Sequence, residues 1–176
     1  AEGWSHLHYS LGLEELAMFH PDHGVLPVTL LSDGVRAMIS LAADLAFRCV
    51  VLNGHLKDQA PQMTTGIVLI DEVDLHLHPA WQQTVLVSLQ RAFEQVQFIV
   101  STHSPQVLSS VHSECIRTVD RDQEGTFIAG QPYAPSYGEL SSDVLETIML
   151  VDPYPPIAER DALKRLTEWV DQGLYD

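Results

Sequence analysis

Residues Ile67–Pro79 read IVLIDEVDLHLHP: four apolar residues, two adjacent acids, then a polar stretch closed by proline. An unbroken apolar run of this length is the pattern of a strand covered on both faces, as in a parallel sheet. A strand is therefore expected over Ile67–Ile70, with Asp71 and Glu72 at its carboxyl end. In open α/β sheets that edge is where ligands bind, and a paired Asp and Glu there can hold a metal and activate a water in one place.

Two flanking segments sharpen this reading. Upstream, Leu31–Arg36 is LSDGVR and opens a long helical pattern; downstream, Gln97–Pro105 is QFIVSTHSP, a second apolar run ending in Thr102 and His103. In this order and at these spacings the chain resembles the ATP-binding-cassette (ABC) ATPases, in the branch that includes the RecF, Rad50/SMC and OLD-type proteins. The matching elements are a signature loop (LSDG in place of LSGGQ), a Walker B strand, a D-loop and a switch histidine. Within that branch, DEVDLHLHPAWQ and FIVSTHSPQVLSSV are similar to the ATPases of bacterial anti-phage systems, the Septu and retron-associated ATPases nearest. The resemblance covers about Pro27–Val119, and SYGELSSDVLETIM (136–149) extends it.

The resemblance implies an α/β fold: a partial, P-loop NTPase-like three-layer core with a mainly parallel sheet, a β edge and C-terminal helices. Residues 1–130 are then expected to form the C-terminal part of an ATPase domain, and residues 131–176 a helical extension.

The residue pattern along the chain agrees. Short alternating runs before residue 30, broken by Pro21, Gly24 and Pro27, read as strands and turns. Met38, Leu41, Ala42, Leu45, Cys49 and Leu52 recur at three- and four-residue spacing, one stripe of a helix of about five turns. Asn53–Gly66 reads as a polar loop, Pro79–Glu94 as one helix with proline at its first position, and Pro105–Val111 as a short helix. A hairpin is expected around Asp122–Gly125, with Cys115 opening its first strand. Helices follow over Leu140–Met149 and Ile157–Gln172, parted by the Pro-rich Asp152–Pro156.

At 176 residues and 45% hydrophobic content the chain can bury one core. Twenty-four acids against nine Lys and Arg give a net charge of −15. That balance argues against a broad phosphate-binding surface, because DNA affinity rests on cationic side chains neutralising phosphates. Any nucleic-acid contact is expected from regions outside these residues. No run approaches the ~20 apolar residues of a membrane span, and the first ten residues lack the pattern of a secretion signal. A cytoplasmic location is the expectation, with Cys49 and Cys115 as packed thiols rather than a disulfide.

Phosphate cradles of this kind need GxxxxGK[ST], and no such string occurs; Lys57 and Lys164 are the only lysines and neither lies in a glycine loop. In the family that element lies N-terminal to the signature. The expectation is that the chain corresponds to the second half of a nucleotide-binding domain and alone turns over negligible ATP.

The resemblance assigns roles residue by residue. Asp71 orients Mg²⁺, through water, since Mg²⁺ keeps several waters. Glu72 is the general base that polarises the attacking water. His103 contacts the γ-phosphate, with Thr102 beside it as a nucleotide-binding residue. Ser32, Asp33 and Gly34, at the start of a helix, face the γ-phosphate of ATP held by the opposite subunit. Asp33 departs from the more common glycine. His76 and His78 stand where a transporter-type D-loop differs, and contact across the dimer is their expected role. The cofactors implied are ATP and Mg²⁺, and the assembly a head-to-tail homodimer or higher oligomer, with a nuclease subunit as a partner by family analogy.

Two other readings compete. A non-catalytic dimerisation module would keep the fold without turnover; Glu72 and His103 argue against it, and the missing phosphate loop argues for it. A histidine-rich metal hydrolase would use the HxH pair, yet nine histidines produce such pairs by chance and neither CxxC nor HExxH accompanies them.

Overall fold

The computed structural model describes residues 3–173, which divide into two compact units, residues 3–110 and 111–173. In the first, an antiparallel meander of β1 (Ser5–Ser10), β2 (Glu15–His20) and β3 (Gly24–Pro27) precedes the long helix α1 (Asp33–Leu52). Ser32 caps α1, its hydroxyl accepting from the Val35 amide, and Asp33 lies in the first turn, where a carboxylate is favoured by the helix dipole.

The strand expected from the apolar run is β4 (Gly66–Ile70), and β5 (Val96–Val100) pairs with it in parallel, Gly66 opposite Val96 and Ile70 opposite Val100. Alternation divides the pair into two faces. Val68, Ile70, Val96, Phe98 and Val100 pack on a core of Leu45, Cys49, Ala60, Val73, Leu77, Val85, Leu89, Phe93 and Val107. Ile67, Leu69 and Ile99, on the other face, are exposed at 66%, 75% and 51%. The expectation that the run is covered on both faces therefore holds for one face within the described residues.

Three segments fold differently from their expected form. Asn53–Gly66 is not an open loop: a 3₁₀ segment, Gly54–Gln59, leads into the one-turn helix α2 (Ala60–Met63), where Ala60 is fully buried and Leu56 packs on the core. Pro79–Glu94 is two helices, α3 (Pro79–Gln82) and α4 (Val85–Ala92). Thr84 breaks them at φ −120°, its amide and its hydroxyl both donating to the Trp81 carbonyl. On α1, Leu52 is exposed, and the buried stripe is completed by Val35 instead. The short helix after β5 is α5 (Pro105–Leu108).

The second unit opens on a 3₁₀ turn, Ser113–Cys115, followed by the hairpin β6 (Thr118–Arg121) and β7 (Phe127–Gly130). The Asp122 carboxylate closes the hairpin by accepting from the Glu124 and Thr126 amides. Cys115 thus lies ahead of the strand rather than in it and is exposed, whereas Cys49 is a packed thiol; both are free. Ser136, almost wholly buried, donates to the Val111 carbonyl, and Tyr137 stacks on His112. Helix α6 (Ser141–Thr147) buries Val144, and α7 (Arg160–Asp171) carries Leu163, Leu166 and Val170 on an exposed stripe.

Candidate nucleotide site at the edge of the parallel pair

Because β4 and β5 run parallel and in register, the residues that leave them emerge side by side: Asp71–Glu72 from one, Ser101–Thr102–His103 from the other. The two exits are stitched together. The Ser101 amide donates to the Ile70 carbonyl and the Val73 amide to the Ser101 carbonyl, both at 3.0 Å. The Ser101 hydroxyl accepts from the Glu72 amide at 2.8 Å and donates to Oδ1 of Asp71. Oδ2 of Asp71 carries no bond among the described residues, and Asp71, Glu72 and His103 are all exposed at this edge.

Glu72 holds φ at +50°, a left-handed conformation that costs a side-chain-bearing residue of order 1 kcal/mol or more and clusters at functional sites. The turn is fixed by Ser101, which spans both acids.

One residue further on, Thr102 donates to Oδ1 of Asp74 and accepts from the Ser104 amide at 3.0 Å. Its hydroxyl is engaged with the loop after β4. His103, between Thr102 and the helix cap Ser104, makes no side-chain hydrogen bond among the described residues and is free to meet a ligand.

The Ser32–Gly34 turn lies against the His76–His78 loop of the same chain. The His76 carbonyl oxygen would stand 2.6 Å from a Cβ on Gly34, so glycine is what allows this approach. The close backbone approach at Gly34 is thus made by the chain's own loop. Ser32, Asp33, Gly34, His76, Leu77, His78 and Trp81 line a groove of about 530 Å³. Arg36, one turn into α1, pairs with Asp33, which offsets the acid in this turn. His76 takes φ +62°, and Nδ1 of His78 accepts from the Ala80 amide at 3.3 Å, capping α3 ahead of Pro79. The indole nitrogen of Trp81 is buried without a hydrogen-bond partner among the described residues.

Among the described residues no three His, Cys, Asp or Glu side chains converge as a ready metal cage. Asp71, with one oxygen uncommitted at an open edge, fits a hydrated Mg²⁺ that takes most of its ligands from water and phosphate. It does not fit a dedicated all-protein site.

Ser101 and Gln82 join this hydrogen-bonded edge with no role read for them in the sequence, whereas Asp74 opens the D-loop region of the resemblance. Ser104 carried a signal, since Ser followed by Pro is the start of a helix with its cap and first residue in place.

The fold is that of an α/β, P-loop NTPase-like domain. A chain from a structural study titled "Structural biochemistry of ATP-driven dimerization and DNA stimulated activation of SMC ATPases" superimposes with a TM-score of 0.51 at 21% identity, over 85% of this chain and 83% of that one. Residues 17–109, more than half of the chain, match the family described as "AAA domain, putative AbiEii toxin, Type IV TA system", and the chain belongs to that family. Among its relatives are the "Retron Vc95 probable ATPase" of Vibrio cholerae serotype O1 biovar El Tor and the "Retron Ec83 probable ATPase" of Escherichia coli. The first is 40% identical over 83% of this chain and 28% of its own length, the second 42% identical over 74% and 23%. The Septu protein PtuA of Bacillus mycoides (strain KBAB4) is 41% identical over 43% of this chain and 10% of its own length. The chain spans about a quarter of the length of the retron relatives.

Proposed function

We propose that these residues form the Walker B, D-loop, switch and signature part of an ATPase that hydrolyses ATP with Mg²⁺ and closes head-to-tail around it, as the switch of a bacterial anti-phage or DNA-maintenance complex. The observation that carries this reading is the Ser101 tie to Asp71 and the strained Glu72, on the edge of the parallel pair from which His103 also emerges. Mg²⁺, when bound, offsets charge on the phosphates and orients them for in-line attack. Asp71 would hold the hydrated ion. Glu72 takes the proton of the attacking water, and His103 donates to the phosphoryl oxygen on which charge develops.

Ser32, Asp33 and Gly34 present the start of α1 to the triphosphate held by a second copy, with Asp33 offset by Arg36. His76 and His78 face the same junction, and Thr102 acts from behind it through Asp74. The phosphate loop comes from sequence outside these residues. The exposed apolar face of Ile67, Leu69 and Ile99 supports a further layer there, because parallel sheets are stable with both faces covered. By the same reading the 176 residues alone are inactive. A nuclease subunit and nucleic acid are engaged, where they are engaged, through other regions. No helix among the described residues is long and apolar enough to cross a membrane, and a cytoplasmic site of action is part of the proposal.

The test is ATP hydrolysis by the full-length polypeptide and by its Glu72→Gln variant. Turnover should need Mg²⁺ and fall by about 10²–10⁴ in the variant, which should retain ATP and accumulate as a dimer. Equal turnover in the two proteins would remove Glu72 from the mechanism; none in either would favour the non-catalytic dimerisation module.

A further inference from the structure

Gln82, the last residue of α3, is bonded on both sides of the candidate site. Its Nε2 donates to the Leu77 carbonyl at 3.0 Å and, more weakly, to the Asp74 carbonyl at 3.4 Å. Its Oε1 accepts from the Ser104 hydroxyl at 2.7 Å, the shorter of the two contacts open to that proton, the other being Oε1 of Gln106 at 3.0 Å. Ser104 is 5% exposed and also accepts from the Gln106 and Val107 amides, so it is fixed to the start of α5. Thr102 closes the circuit, donating to Asp74 and accepting from the Ser104 amide.

A primary amide is the one side-chain group that meets this demand. It offers two donors at one end and an acceptor at the other, and here each end has a partner of the opposite kind. The partners lie on the two loops that matter. One, Asp74–Leu77, carries the His76 carbonyl that rests on Gly34; the other, Thr102–Ser104, brackets His103.

We propose that Gln82 is a positioning residue that ties the His76 loop to the His103 segment. A displacement of that loop at the bound nucleotide then reaches His103 and the Ser32–Gly34 turn together. This rests on the reading of the site as an ATPase. Its consequence is that the residues serving a chain's own ATP and those serving its partner's are held in register by one amide, and are not set independently.

The test compares Gln82→Leu, Gln82→Glu and Ser104→Ala in the full-length polypeptide, by amide hydrogen exchange and by steady-state turnover. Gln82→Leu should raise exchange at both 74–78 and 102–104. Gln82→Glu keeps an acceptor for Ser104 but has no donor for the two carbonyls, so exchange should rise at 74–78 and stay level at 102–104. Turnover should show kcat reduced about tenfold or more in Gln82→Leu, as for other small misplacements of catalytic groups, with KM changed by less than about twofold. The double variant Gln82→Leu/Ser104→Ala should be no slower than the slower single one, because both break the same tie.

Unchanged exchange at both segments in Gln82→Leu, or losses that simply multiply in the double variant, would overturn the proposal. Should Gln82→Leu fail to fold, the split response of Gln82→Glu decides the question. A full-length protein without turnover would defeat the ATPase reading and leave the exchange result to judge the tie.

Discussion

The carbonyl oxygen of His76 occupies the space beside Gly34 that a side chain would need, 2.6 Å from where the first carbon of that side chain would stand. The obstacle is backbone, so it cannot swing away as the end of a flexible side chain would. Gly34→Ala is expected to push the two loops apart and to destabilise the fold by about 1–3 kcal/mol, the usual cost of overpacking. Denaturant unfolding measures this, and a variant as stable as the parent would show that the two loops do not pack as described.

Glu72 and Ser101 separate stability from activity. Glycine at residue 72 would relieve the left-handed strain, so Glu72→Gly should leave stability unchanged or raise it by about 0.5–1 kcal/mol, while abolishing turnover in the full-length enzyme. Ser101→Ala should instead lower stability. It loses the bonds to Asp71 and to the Glu72 amide, for about 0.5–1.5 kcal/mol each at most. Thermal melts of both variants check the opposite signs, and a Glu72→Gly protein much less stable than the parent would contradict the strain.

Which of these features could be read in advance follows from the range of the forces involved. The β4 run and the α1 stripe were legible because burial periodicity is written into neighbouring residues. The edge carrying Asp71, Glu72 and His103 was legible because parallel strands bring their exits together. Ser101 and Gln82 were not, since each acts through bonds to residues far along the chain, Ser101 with Asp71 and Gln82 with Ser104. The strand expected from Cys115 begins three residues later, at Thr118, and Asn53–Gly66 is polar in sequence although Ala60 anchors it in the core.

The open face of the β4–β5 pair should govern the behaviour of the isolated 176-residue chain. Ile67, Leu69 and Ile99 lie side by side and more than half exposed, and contiguous apolar patches promote association. The isolated chain is expected to self-associate, and Leu69→Ser with Ile99→Thr to shift it toward monomer in light scattering. In the full-length polypeptide the same pair should be destabilising, by about 1.5–3 kcal/mol for each side chain that is buried there. A full-length variant as stable as its parent would mean that nothing covers this face.

Asp152 makes the acid behaviour of the second unit predictable. It accepts from Lys164 at 2.8 Å and from the Tyr154 amide at 2.9 Å and pairs with Arg160, tying the Pro-rich break to the first turns of α7, and Lys164 also lies over the Tyr154 ring. The hydrogen bond from Lys164 comes first, followed by those from Tyr154 and Arg160, in lowering its carboxyl from the ordinary 3.8 to about 2. A carboxylate with a depressed value stabilises the fold at pH above its unfolded value and ceases to do so as pH falls through the folded one. The attachment of α7 should therefore be constant above about pH 5 and weaken between about pH 4 and 2. Amide exchange across Arg160–Lys164, followed against pH, should rise only in that window, and Asp152→Asn should show the raised rate at neutral pH. A parent protein whose exchange in this segment rises already between pH 7 and 5 would show that some other group holds the helix.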